Sequence, residues 1–211
     1  AVAADLAIYS AHTNLDVAAR GVNDALAQVL GLQNSVPLAP LQRGGFRGRR
    51  PGGSAGLCAH PHLWPGGESG AEAGLGRLGE LAEECSLREL AHRVKERLGA
   101  ARVLWAGEPD RPVRRLAVCG GRGGRLIPQA AARGADAFLT GDLDYHEWQE
   151  ARRLGLAVLD AGHAATEAPI LPPLAAYLQA RIAGAAGEEG GGLGRVEVFL
   201  PEEDVDRVET V

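Results

Sequence analysis

The stretch DAFLTGDLDYHEWQEARRLGLAVLDAGHAATE, residues 136–167, carries the clearest signals of fold class in this 211-residue chain. It contains two short apolar runs, AFL and LAVL, and polar or turn-forming residues follow each of them. Runs of this length are typical of buried strands, and the charged segment between them has the length of a helix. Two strands joined by a helix run parallel in one sheet. The stretch therefore predicts an α/β fold, a layered sheet with helices on its faces.

The same alternation of strand and helix signals extends outward on both sides. One helix is especially well marked, because Ser86 can cap SLRELAHRVKERLG and Glu89 stands where a capping box requires it. Further helices are predicted at 21–32, 125–134 and 168–184, and further strands at 5–12, 76–81, 101–107, 114–120 and 195–200.

Residues 33–74 interrupt this pattern. The segment is rich in glycine, proline and arginine and has no hydrophobic period, which predicts a long flexible loop. It contains His60 and His62 close to Cys58, a combination that invites a zinc site, but no second ligand pair lies nearby in the sequence. We therefore interpret these two histidines as ordinary loop residues.

Composition argues against several classes of function. No apolar run approaches the roughly 18 residues of a membrane span, and the N-terminus does not resemble a secretory signal. The formal charge of −5 at pH 7 argues against nonspecific nucleic-acid binding. The 3 cysteines are an odd number without CxxC spacing, so we expect free thiols and a cytoplasmic protein.

Polar side chains collect where the predicted strands end, and ligand sites of open α/β folds lie at that edge of the sheet. Three of the six histidines belong to this set, which points to one shared site. The candidates are His12 and Asp16, the glycines of 120–124, the group Asp142, Asp144 and His146, and the pair His163 and Glu167.

His163 and Glu167 have the spacing of a metal-binding pair. Residues four apart on a helix lie on one face, with about 5–6 Å between their Cβ atoms. An imidazole and a carboxylate at that spacing suit zinc, manganese or iron, and Asp16 could bridge two ions as a second carboxylate. A surface pair without metal is the alternative; Asp16 and His146 at the same sheet edge favour the metal.

The glycines of 120–124 follow a predicted strand and precede a helix. Their N–H groups can hold an anion there, which makes Gly120, Gly121 and Gly123 candidate phosphate-binding residues. A tight turn without a ligand is an equal alternative. The segment is not a dinucleotide-binding GxGxxG motif, because Leu126 stands where that motif needs glycine.

The residues after DAFLTG have two alternative roles. Asp142 and His146 are candidate acid/base groups, since imidazole titrates near neutral pH. Capping of the next helix is the alternative for Asp142 and Asp144, and we expect it for one of the two.

Six blocks of the sequence together resemble the Nif-three-like family, whose members are commonly named type 2 homologues of GTP cyclohydrolase I. Each block alone is weak, but the set is specific and covers most of the chain outside residues 33–74. In family order the blocks are SAHTNLD, GVNDALAQVLGL, GLGRLGEL, AVCGGRGGRLI, TGDLDYHEW and DAGHAATE.

The resemblance implies a two-ion metal site in an α/β protein that assembles as a ring, commonly a hexamer. The family's metal ligands correspond to Asp16, His163 and Glu167. His12 and His146 correspond to positions that line the same cavity, and they are the candidate catalytic residues.

The family also uses an adjacent histidine pair in a segment that precedes the HTNLD block. The resemblance therefore implies a chain that lacks its N-terminal portion and holds about half of the metal site. Residues 1–32 would be the remainder of a first α/β lobe, 33–74 the flexible loop, and 75–211 a second lobe that carries most of the site.

Two functions are compatible with these features. The first is a metal-dependent hydrolase, similar to GTP cyclohydrolase, that acts on a nucleotide or another phosphorylated small molecule with two divalent ions, one of which activates water. The second is a metal-binding assembly or interaction protein without turnover. The same residues serve either function.

Overall fold

The computed structural model describes residues 6–41, 72–186 and 196–200. The strands in these ranges are β1 (Gln33–Pro40), β2 (Gly74–Ser86), β3 (Leu104–Ala106), β4 (Pro112–Arg122), β5 (Ala137–Gly141) and β6 (Ala157–Asp160). The helices are α1 (Thr13–Val17), α2 (Val22–Val29), α3 (Leu87–Leu98), α4 (Ile127–Ala132), α5 (Tyr145–Arg153), α6 (His163–Glu167) and α7 (Leu171–Ala186). Short 3-10 turns at Gly124–Leu126 and Ala168–Ile170 lead into α4 and α7.

These strands form one mixed sheet in the order β1-β2-β4-β5-β6-β3. β4, β5 and β6 run parallel at its centre, whereas β1, β2 and β3 pair antiparallel with their neighbours. The predicted α/β class is confirmed. Because parallel strands end at the same edge, Arg122, Gly141 and Asp160 bring the ends of β4, β5 and β6 side by side.

Helices cover both faces of the parallel centre. In β5, Phe138 packs into one apolar cluster, while Ala137 and Leu139 pack into the other. α2 and α3 contribute Leu26 and Leu90 to the cluster of Leu139, and α4 and α5 cover the opposite face. Each fully buried leucine stabilises the fold by about 1.5–3 kcal/mol, so this centre is a rigid platform for whatever lies at its edge.

Two helix starts are as predicted. At α3, the N–H of Glu89 donates to Ser86 Oγ at 3.2 Å, and the N–H of Ser86 donates back to the Glu89 carboxylate at 2.8 Å. At α5, Asp144 and Glu147 form the same reciprocal capping box. Each cap stabilises its helix by about 1 kcal/mol. Asp144, and not Asp142, is therefore the helix cap of that pair.

The prediction of a loop at 33–74 is wrong at both ends of that segment. Gln33–Pro40 forms β1, and Gly74 already belongs to β2. Pro37 and Pro40 suggested a loop, but β1 lies at the edge of the sheet, where proline costs no ladder hydrogen bond on the open side. Residues 42–71, with His60 and His62, lie outside the described residues.

The strands predicted at the two ends of the chain do not form within the described residues. Residues 6–12 and 196–200 adopt no regular structure. Ile8 is 75% exposed and Phe199 is 84% exposed. An apolar run becomes a buried strand only where a neighbouring strand accepts its hydrogen bonds, and the described sheet offers none at these positions.

Arg77 of β2 is a charged residue inside the sheet, with 1% of its surface exposed. Its Nη2 donates to Asp24 of α2 at 2.6 Å, and its Nη1 donates to the carbonyl oxygens of Gly74 and Gly76 at 2.8 Å. The pair fixes α2 against the sheet next to the ends of the parallel strands.

Within the described ranges, none of the helices has both the length and the apolar character that crossing a membrane requires.

Candidate metal site at the edge of the parallel strands

His163 lies at the edge where the parallel strands end. β6 ends at Asp160, and α6 begins with His163 after the turn residue Gly162, whose φ of 87° suits glycine. The Asp160 carboxylate accepts the Gly162 N–H at 2.9 Å, which holds this turn in place.

The His163 ring stands between two carboxylates. Its Nε2 is 3.1 Å from Glu167 Oε1, and its Nδ1 is 2.8 Å from Asp142 Oδ2. The predicted helical pairing of His163 with Glu167 is thus present in the structure. All three side chains remain partly exposed, so the group is open to a ligand from solvent.

Asp142 reaches His163 because the backbone after β5 takes an unusual path. Asp142 has a φ of 55°, in the left-handed region that aspartate tolerates better than most residues. A Cβ on Gly141 would lie 2.6 Å from the Gly162 carbonyl carbon and 2.8 Å from the His163 nitrogen. The turn after β5 can approach the start of α6 only because residue 141 is glycine.

Gly120 and Gly121 of β4 make room for the same pair. A Cβ on Gly121 would lie 2.4 Å from Glu167 Oε1 and 3.0 Å from His163 Nε2. A Cβ on Gly120 would lie 3.6 Å from Glu167 Cγ and 2.5 Å from a methyl group of Val22. These glycines form a flat floor beneath the side chains of α6.

The three candidate phosphate-binding glycines all donate their N–H groups to protein side chains. Gly120 donates to Asn23 Oδ1 at 3.0 Å, Gly121 to Thr166 Oγ1 at 2.9 Å, and Gly123 to Thr140 Oγ1 at 2.8 Å. Phosphate binding by this backbone stays a prediction, and an anion here would need positive side chains as well.

Asp16 lies in α1, in contrast to the predicted strand end. Burial raises the pKa of its carboxyl, and the nearby negative charge of Glu167 raises it further, against His12 and His163, which lower it. The structure therefore brings Asp16 into the electrostatic range of the His163–Glu167 pair.

Carboxylates and burial shift the pKa values of two further groups near this edge. The thiol of Cys119, buried below the glycine floor, has its pKa raised to about 12, first by burial and then by Asp16. At His163, burial alone would lower the pKa, but the hydrogen bond to Asp142 and the charge of Glu167 outweigh it and raise the pKa. The carboxylates beside His163 therefore favour the protonated form of its ring.

The two candidate catalytic histidines make no hydrogen bond or ion pair with His163 or Glu167 within the described residues, although His12 lowers the pKa of Asp16 by its charge. His12 directly precedes α1 and is exposed, with its N–H bonded to Asn14 Oδ1 at 2.9 Å. His146 is exposed in the first turn of α5, where its ring meets the edge of Tyr145 at a centroid distance of 5.5 Å. Their catalytic role stays a prediction.

Residues 1–189 match the model of the family Duf34/NIF3 (NGG1p interacting factor 3). The chain belongs to the Duf34/NIF3 family. It is 42% identical over 168 residues to the GTP cyclohydrolase 1 type 2 homolog of Streptomyces coelicolor. The aligned region covers 78% of this chain and 50% of that protein. The chain is 34% identical over 162 residues to the homolog of Clostridium acetobutylicum, covering 77% and 51%. The chain thus spans about half the length of these two relatives.

A solved structure agrees with this assignment. The Bacillus cereus protein related to NIF3 superposes with a TM-score of 0.78 at 28% identity, covering 100% of this chain and 75% of that one. The resemblance found in the sequence blocks is confirmed, and the mixed sheet described above belongs to a NIF3-related fold.

In this NIF3 family member the donor chemistry at the edge fits a transition metal ion. His163 and Glu167 offer an imidazole nitrogen and a carboxylate oxygen, the donors that zinc, manganese and iron accept. A carboxylate on the second ring nitrogen, as Asp142 provides, is characteristic of metal-bound histidines. Among the described residues, however, no group of three or more His, Cys, Asp and Glu side chains is close enough to hold one ion.

Sequence reasoning missed the residues that shape this edge. Asp142 was expected to be an acid/base group or a cap, and its bond to His163 was not foreseen. Asn23 and Thr166, which bind the glycine floor, were not singled out at all. The spacing could have indicated Thr166, because a residue three after His163 lies on the same face of α6.

Proposed function

We propose that this chain contributes His163, Glu167 and Asp16 to a site for two divalent transition-metal ions, and that the site serves hydrolysis of a nucleotide or another phosphorylated small molecule. The observation that carries the proposal is the His163 ring, held between Glu167 on Nε2 and Asp142 on Nδ1. Bound metal would supply Lewis acidity and a water of lowered pKa.

Protein side chains would bind the cation and transfer protons. His163 and Glu167 would hold the cation on one face of α6. Asp16 would add a carboxylate from α1, and the bound cation would lower the raised pKa of that carboxyl. His146, exposed in the first turn of α5, would be the general acid or base.

For the phosphate, the proposal combines the glycine floor with a positive side chain. Gly120 and Gly121 form the floor beneath His163 and Glu167, and Gly123 follows them in the candidate phosphate-binding segment. Arg125 is exposed one turn after β4, close enough to lower the pKa of Asp16 by its charge. A guanidinium in that position can pair with a phosphate oxygen.

The second candidate function is a metal-binding protein without turnover that assembles as a homo-oligomeric ring. The observation that favours it is the lack of a group of three or more possible ligands among the described residues. Such a site suits a shared or structural ion as well as a catalytic one.

The test measures zinc, manganese and iron(II) binding to the 211-residue chain by competition with a chelator. We expect binding weaker than the about 10–16 kcal/mol of closed structural zinc sites. His163→Ala should lose most of the bound metal, and His92→Ala, an exposed histidine on α3, should lose none. Metal content unchanged in His163→Ala would overturn the assignment.

The second part of the test offers a panel of nucleotides to the metal-loaded chain. Metal-dependent release of phosphate or of a ring-opened base, lost in Glu167→Gln, supports the hydrolase. Tight metal binding without turnover on any member of the panel favours the assembly function instead.

A further inference from the structure

Asp142 has no role in capping and no hydrogen-bond link to the exposed His146 within the described residues. Asp144 already caps α5, through Glu147. The Asp142 carboxylate is instead directed at Nδ1 of His163, at 2.8 Å. A side chain that points away from its own helix and toward the next one is placed there by tertiary structure.

The backbone around Asp142 is locked to the turn that carries His163. The Asp160 carboxylate accepts the N–H of Leu143 at 2.8 Å with one oxygen and the N–H of Gly162 at 2.9 Å with the other. The N–H of Ala161 donates to the Thr140 carbonyl at 3.0 Å. One carboxylate at the end of β6 thereby ties the turns after β5 and β6 together.

This lock explains why a strained conformation persists at Asp142. A φ of 55° costs a non-glycine residue up to about 1–2 kcal/mol, less for aspartate than for most, and neighbouring contacts must offset that cost. Here the neighbours hold it, and the product of the strain is the bond to His163. The unusual backbone at Asp142 thus serves to place its carboxylate on the His163 ring, which points to a role in orienting that ring.

We propose that Asp142 is a positioning residue that fixes His163 as the Nδ1–H tautomer and turns its Nε2 lone pair toward the ligand side of Glu167. The Nδ1–H donates to Asp142, so Nε2 is the nitrogen left for a cation. This inference rests on the proposed metal function for its consequence, but the tautomer is a property of the metal-free protein.

Three substitutions of Asp142 distinguish the effect of its carboxylate from the effect of its backbone conformation. Asp142→Gly keeps the left-handed backbone and removes the carboxylate. Asp142→Asn keeps the shape, tolerates the same φ and removes the charge. Asp142→Ala removes the carboxylate and adds the strain of alanine at positive φ. Asp144→Asn is the matched control, because asparagine caps a helix as well as aspartate does.

The first readout is the nitrogen NMR spectrum of the His163 ring in the metal-free chain, at alkaline pH where the ring is neutral. We expect the Nδ1–H tautomer in the original chain and in Asp144→Asn. Asp142→Gly should shift the ring to the Nε2–H tautomer, bonded to Glu167. An Nε2–H tautomer already present in the original chain would overturn the proposal.

The second readout is zinc affinity by chelator competition. Asp142→Gly and Asp142→Asn should bind zinc about 10–100-fold more weakly, the usual loss when the carboxylate partner of a ligating histidine is removed. Asp144→Asn should be unchanged, and equal affinity in Asp142→Gly would overturn the positioning role. If the original chain binds no zinc, the proposed function fails, and the tautomer alone decides the role of Asp142.

Discussion

Two networks of charged side chains lie near α2, and they differ in what they leave unsatisfied. All five N–H groups of the Arg77 guanidinium are used, on Asp24 and on backbone carbonyls. At the sheet edge, by contrast, two carboxylates contact one partly exposed imidazole, and the carboxylate of Asp16 lies within electrostatic range of it. A saturated ion pair holds elements together, whereas a surplus of carboxylates attracts a cation.

The largest effect is expected where the saturated network is broken. Arg77→Met should lower the free energy of unfolding by about 3–5 kcal/mol, because it leaves Asp24 and several carbonyl groups without their partner. Chemical denaturation measures the loss.

The control for this prediction is Arg114→Met. Arg114 and Glu80 are both about half exposed and 3.9 Å apart. Loss of this surface pair should change stability by about 0.5 kcal/mol or less. Equal losses in the two variants would show that burial does not distinguish the two kinds of ion pair.

A smaller effect is expected at the glycine floor of the open network. Gly121→Ala forces a side chain into positive φ and into contact with Glu167 and His163, so we expect a loss of about 2–3 kcal/mol and weaker zinc binding. The measurements are thermal unfolding and chelator competition.

Gly99→Ala provides the matched comparison. Gly99 has a φ of 60°, and a Cβ there would meet nothing within 4 Å. This variant should lose only the backbone cost of about 1 kcal/mol and keep its zinc affinity. If Gly121→Ala behaves identically in both measurements, the floor is not crowded by α6.

The smallest effect concerns pH in the metal-free chain. Because the pKa of His163 is raised, its stabilising contribution is fully present below the unfolded value near 6.5 and is lost as the pH rises through the higher folded value. The half-exposed ring limits the contribution to less than about 1 kcal/mol.

Unfolding free energies of the original chain and of His163→Gln, measured across this pH window, test the sign. The difference between them should shrink with rising pH. A difference that grows with pH would mean that the carboxylates do not favour the protonated ring.

Much of the parallel centre could be predicted because its signals are local. The capping boxes at Ser86 and Asp144 involve residues three apart, and the apolar run of β5 is bounded by turn residues on both sides. The pairing of His163 with Glu167 follows from one turn of helix. None of these depends on a distant part of the chain.

The antiparallel flank could not be predicted in the same way. β1 pairs with β2 across a long sequence separation, and its prolines are tolerated only because it ends the sheet. The run at 5–9 has the composition of a strand, but composition does not tell whether a partner strand exists.

The detailed site geometry was also beyond the sequence. The bond between Asp142 and His163 depends on the left-handed backbone at 142 and on the missing Cβ of Gly141. Both are consequences of how two turns meet in space. A sequence motif places residues on elements, but it does not orient a ring.

Asn23 carries a consequence for anyone who wishes to transplant this edge into another scaffold. It is 1% exposed, and its side-chain amide donates to the Asp16 carbonyl at 2.8 Å and accepts the Gly120 N–H at 3.0 Å. Its neighbour Asp24 anchors the same helix to Arg77. The smallest portable unit is therefore more than α1 and α6, the two helices that bear the proposed ligands. It must also include α2 and its anchor Arg77 in β2. Without them the graft would lose the hydrogen bond from Asn23 that holds the Asp16 backbone at this edge.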